Sequence, residues 1–70
     1  MSQYLIIIEL EGDAWGLYAP DLPGLGVSGS SREEVETLAK DAVAGHVAML
    51  RELGEPIPEP RAQITYVRVA

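Results

Sequence analysis

Residues 31–53 read SREEVETLAKDAVAGHVAMLREL, and the architecture of the rest follows from them. Val35, Leu38, Ala39, Ala42, Val43, Val47, Leu50 and Leu53 recur at alternating steps of three and four, with His46 among them. At about 100° per residue these positions fall on one stripe, the signature of an amphipathic helix. Glu33, Thr37, Lys40, Asp41, Arg51 and Glu52 occupy the opposite side. Ser31 followed by Glu34 reads as a capping box, and Gly54 as the stop. A helix of this kind is not stable alone and needs an apolar sheet to lie on.

The remaining sequence supplies that sheet. Residues 3–11 are apolar and β-branched enough for a strand, and Leu5–Ile8 is apolar on both faces, which suits a central strand or one covered by a partner as well as by the helix. Gly12-Asp13 marks a turn, after which Trp15 to Ala19 forms a second strand with Trp15, Leu17 and Ala19 on one face and Gly16 and Tyr18 on the other. Pro20-Asp-Leu-Pro-Gly24 excludes regular structure, because each proline removes a donor and holds its predecessor extended. Leu25 to Ser28 is a short edge strand closed by Gly29. Beyond the helix, prolines at 56, 58 and 60 enforce an extended connection, and Gln63 to Val69 is a final strand.

The order β-β-β-α-β defines a single α+β domain over residues 1–70. A right-handed crossover places the last strand parallel to the first, on its free side, giving sheet order 3-2-1-4 with one long helix on one face. The opposite face, to which the alternation assigns Tyr4, Ile6, Ile8 and Tyr18 in part, has no covering element and reads as an association surface. A chain of 70 residues buries only about 60% of its unfolded surface, and with no cysteine to staple it a homo-oligomer is expected. The net charge of −6 opposes direct nucleic-acid binding; it favours fast association with a basic partner, although plain solubility is the commoner reason for an acidic surface. The longest apolar run is too short for a signal peptide or a membrane span, which makes the cytoplasm the expected compartment.

Little in the chain carries chemistry. Glu9 and Glu11 share a strand face, and Glu9 with Glu36 could in principle hold a divalent metal, but the last strand brings no acidic residue. Helix N-terminal electrostatics and solvation account for Glu33, Glu34 and Glu36. His46 lies on the apolar stripe without a nucleophile or second ligand at a fixed spacing, so a core histidine with a carbonyl or tyrosine partner is expected rather than a general base. Gly24, Gly26 and Gly29 match Gly-x-Gly-x-x-Gly, yet Val27 and Ser28 belong to a strand and the position about 20 residues on lies inside the helix, contrary to a dinucleotide site. No catalytic residue, metal ligand or cofactor site is assigned. Ala44, Gly45 and Ala48 fall on the water-facing side of the helix; small residues there permit close approach of another helix, but alanine is also simply a good helix former, and that is the reading preferred.

Tyr18-Ala-Pro-Asp-Leu-Pro-Gly24, Gly29-Ser-Ser-Arg-Glu-Glu34, His46 and Gly54-Glu-Pro-Ile-Pro-Glu-Pro60 together resemble the HicB family of antitoxins across essentially the whole chain. The resemblance implies a reduced ribonuclease H-like fold and a non-enzymatic module that binds and occludes a small, basic HicA-like mRNA interferase. Two departures stand out. The cysteine that often follows the loop glycine in that family is Leu25 here, and residues 1–70 hold no helix-turn-helix or ribbon-helix-helix segment, so operator binding is not expected of them alone. The contact residues expected are Asp21, Leu22, Pro23, Gly24, Leu25 and Val27. The alternatives are an orphan homo-oligomeric domain with an unrelated partner, or a residual metal-dependent nuclease of the ribonuclease H type.

Overall fold

Gly12 takes a left-handed φ of +62°, which lets the chain reverse between two antiparallel strands. The computed structural model describes residues 3–70. In it β1 spans Ile7–Glu11, β2 Ala14–Tyr18 and β3 Gly26–Gly29, followed by α1 over Arg32–Glu52. β1 pairs antiparallel with β2, which pairs antiparallel with β3, so the sheet order is β1-β2-β3. The fold is α+β, a three-strand meander with one helix on one face. Residues 63–69, expected as a fourth strand beside β1, form none within the chain. β1 is consequently an edge strand here, despite an apolar run suited to the interior.

The helix ends follow from local chemistry. Ser31 adopts an extended conformation and its hydroxyl oxygen accepts the Glu34 N–H at 3.1 Å. The Glu34 carboxylate reaches one residue further back than in a standard capping box, accepting the backbone N–H of Ser30 at 3.2 Å and its hydroxyl at 3.3 Å. At the other end Gly54 has φ +69°, Gly54 N donates to the Arg51 carbonyl and Glu55 N to the Leu50 carbonyl. These two bonds make a Schellman motif, with the glycine where the left-handed residue is required.

α1 packs across β3 and β2 and reaches β1 less. The register places Ile8 opposite Leu17 and Leu17 opposite Val27, so all three point toward the helix. The core consists of Leu17, Ala19, Leu22, Leu25 and Val35, with Tyr4, Ile6, Ile8, Trp15, Val27, Ala39 and Val43 packed around it. The expectation that Ile6 and Ile8 share the uncovered face with Tyr18 is corrected by this register, which pairs Tyr18 with Ile7 instead. A shift of one residue along a strand moves every side chain to the other face. Along α1 only Val35 is fully enclosed, and Leu38, Met49 and Leu53 keep substantial exposure because a sheet of three strands is too narrow to cover the stripe.

Candidate partner-binding site

The loop between β2 and β3 folds around one side chain. Leu22 N donates to the Ala19 carbonyl at 3.1 Å and Leu25 N to the Leu22 carbonyl at 3.2 Å, two successive turns that drive Leu22 into the core with no residual exposure. The prolines on either side hold the chain out of helical geometry so that this plug can form. Gly24 then turns at φ +89° beside the helix, and a Cβ there would stand 3.7 Å from Cε1 of His46. His46 is half-buried beneath the loop rather than enclosed.

The structure thus divides the six expected contact residues. Leu22 and Leu25 are buried, and Val27 is half-buried against the core. Half-buried Asp21 turns its carboxylate toward the chain beyond the helix: Oδ2 accepts the backbone N–H of Arg61 at 3.0 Å and of Ala62 at 2.9 Å. Only Pro23 and Gly24 are freely exposed.

A second feature adjoins this turn. The sheet face away from α1 carries Glu9, Glu11, Gly16, Tyr18, Gly26 and Ser28, which with their neighbours line a shallow cleft of about 470 Å³. Its floor is low because Gly16 and Gly26 have no side chains there; a Cβ on Gly26 would meet nothing within 4 Å. Tyr18 and Gly26 form the last rung before the loop, so cleft and turn are continuous. Tyr18 presents an aromatic wall that is 43% exposed, and Glu9 and Glu11 give the far end negative charge. This arrangement suits a cationic, partly apolar partner better than a small molecule enclosed on all sides. Alternation along the three strands is the sequence signal that places Glu9, Glu11, Gly16, Tyr18, Gly26 and Ser28 on one face.

Glu9 lies on the opposite side of the sheet from Glu36, whose helix covers the other face, so these two carboxylates do not converge. Among the described residues no group of three or more His, Asp or Glu side chains is arranged to hold a metal ion. Among them, too, no helix is long and apolar enough to cross a membrane.

The meander with its capped helix, plugged loop and acid-rimmed open face fits a protein-binding module. Residues 4–68 match the family model described as HicB_like antitoxin of bacterial toxin-antitoxin system, and the chain belongs to that family. No curated protein matches it.

Proposed function

We propose that this chain is a non-catalytic antitoxin domain that binds a HicA-type mRNA interferase in the cytoplasm and occludes its active site. The family match over residues 4–68 is the observation that carries the reading. The surface chemistry supports it. An enzyme that handles RNA needs a basic face, and a partner of net charge −6 with glutamates on an open cleft is drawn to that face before any close contact forms.

In this reading Pro23, Gly24, the free edge of β3 and the cleft beside Tyr18 touch the toxin. Leu22, Leu25 and Val27 hold that surface from below, and Asp21 ties it to the segment beyond the helix. The domain works as a self-associated assembly, in which the sheet gains its fourth strand in the order 3-2-1-4 of a reduced ribonuclease H-like fold. The test partner is the product of any adjacent gene that encodes a basic protein of roughly domain size. Co-expression should yield a complex and relieve the growth arrest caused by that neighbour alone. Separate elution of the two proteins at micromolar concentration, with arrest unrelieved, would refute the proposal.

A further inference from the structure

The segment after the clasp at Asp21 has the sequence of a strand and the exposure of something unfinished. Ile64, Tyr66, Val67 and Val69 are 66%, 88%, 83% and 84% exposed. The molecule is correspondingly drawn out, 46 × 28 × 19 Å with a radius of gyration of 13.6 Å, against about 11 Å for a compact chain of this length. The 21-residue helix accounts for only about 32 Å of that long axis. β-branched and aromatic residues held in water in this way form a template for pairing with another chain.

Among the described residues, no strand covers the same edge of the molecule. Among the described residues β1 pairs with β2 alone, and the N–H and C=O groups of its outer edge have no ladder partner there. The root of the segment lies next to that edge: the Tyr4 hydroxyl donates to the Pro58 carbonyl, and Gln3–Ile6 and Ala62–Ile64 line one cleft of about 560 Å³ without forming a ladder. Donor segment and vacant acceptor edge therefore adjoin. In that geometry one two-fold axis closes both exchanges, and no open polymer results.

We propose that residues 63–69 form the fourth strand of a second copy's sheet, parallel to β1 on its outer edge, and that the second copy returns its own segment in kind. This rests on the self-association part of the functional reading and is independent of toxin binding. The side chains support a copy of this chain rather than the basic toxin as acceptor. The segment's one charged residue is Arg68, which does not complement a basic protein but does complement Glu9 and Glu11. In the pleat, Ile64, Tyr66 and Arg68 share one face, and placing them beside Ile7, Glu9 and Glu11 brings Thr65 and Val67 beside Ile8 and Leu10 on the other. Leu10, now 57% exposed, gains an apolar neighbour, and both faces of the Leu5–Ile8 run acquire the flanking strand that its composition fits.

The chain has no cysteine, so engineered disulfides report the pairing cleanly. Light scattering of the intact chain should give twice its 7.6 kDa or an even multiple. Glu9→Cys protein is then mixed in denaturant with chains carrying cysteine at Thr65, Tyr66, Val67 or Arg68 in turn, and refolded together. At least one mixture should give a disulfide-linked heterodimer on a non-reducing gel, and the chain carrying both cysteines should link between copies. A monomer by mass overturns both the exchange and the self-association beneath it. A dimer in which no tail position links to the partner's β1, or in which the doubly substituted chain closes only on itself, overturns the exchange alone.

Discussion

Asp21 and Ala62 are joined across the length of the chain: Oδ2 of Asp21 accepts the Ala62 N–H at 2.9 Å and the neighbouring Arg61 N–H at 3.0 Å. One carboxylate oxygen thereby fixes where the connection after the helix meets the loop after β2. Bonds from backbone N–H to an ionised acceptor are among the stronger hydrogen bonds in proteins. We predict that Asp21→Ala lowers stability by roughly 1–2 kcal/mol, with Asp21→Asn intermediate because an uncharged acceptor remains. Urea denaturation measures the loss, and hydrogen exchange at Arg61 and Ala62 should quicken in both variants. An unchanged exchange rate at these two amides would show that the clasp does not restrain the segment.

Gly29 and Gly26 lie in the same short strand and should respond oppositely to alanine. Gly29 points at the first turn of α1, where an added Cβ would meet the Glu34 carboxylate and stand 3.1 Å from Cγ1 of buried Val35. Glu34 can swing aside only by releasing Ser30, and Val35 cannot move without opening the core. Gly29→Ala is therefore expected to cost about 1–3 kcal/mol. Gly26→Ala points into open space and should change stability by less than about 0.5 kcal/mol. Equal thermal shifts in the two variants would contradict this account of the helix–sheet contact.

How much of this was legible beforehand depends on the range of the interaction. The helix boundaries, the Ser31 cap, the Gly54 stop and the Gly12 turn were all readable, because each is set by residues within one turn of one another. The plug at Leu22 was not, since Pro-Asp-Leu-Pro-Gly looks like exposed contact surface until Leu22 is seen beneath the helix. Nor was the role of Asp21, whose partners lie 40 and 41 residues away and are backbone groups without a side-chain signature. Residues 63–69 have the composition of a strand yet form none within the chain, because composition and alternation do not say whether a ladder partner is in reach.

The helix termini give a local test of stability. Ser31→Ala removes the acceptor for the Glu34 N–H and should cost about 1 kcal/mol. Gly54→Ala forces a side chain into a backbone at φ +69° and should cost a similar amount, about 1 kcal/mol. The sites stand at opposite ends of α1 and share no partner, so their effects should add in the double variant to within about 0.5 kcal/mol. Thermal unfolding followed by circular dichroism provides the numbers. A clear excess in the double variant would indicate that the ends are coupled through helix docking.

The open face offers the sharpest separation of binding from folding. Gly26→Leu places a bulky side chain over the low floor of the cleft, between the Tyr18 wall and Ser28, at a position where nothing lies within 4 Å. The core sits on the other side of the sheet, so the melting temperature and the mass of the assembly should stay as they are. Affinity for the neighbouring basic protein, measured by titration calorimetry, should fall at least tenfold, because a filled cleft cannot accept the partner's side chains. In the unsubstituted protein, association should also slow steeply as salt is raised, as expected where net charge of −6 steers a cationic partner. Undiminished affinity in Gly26→Leu would move the contact off this face and onto the exposed turn at Pro23 and Gly24.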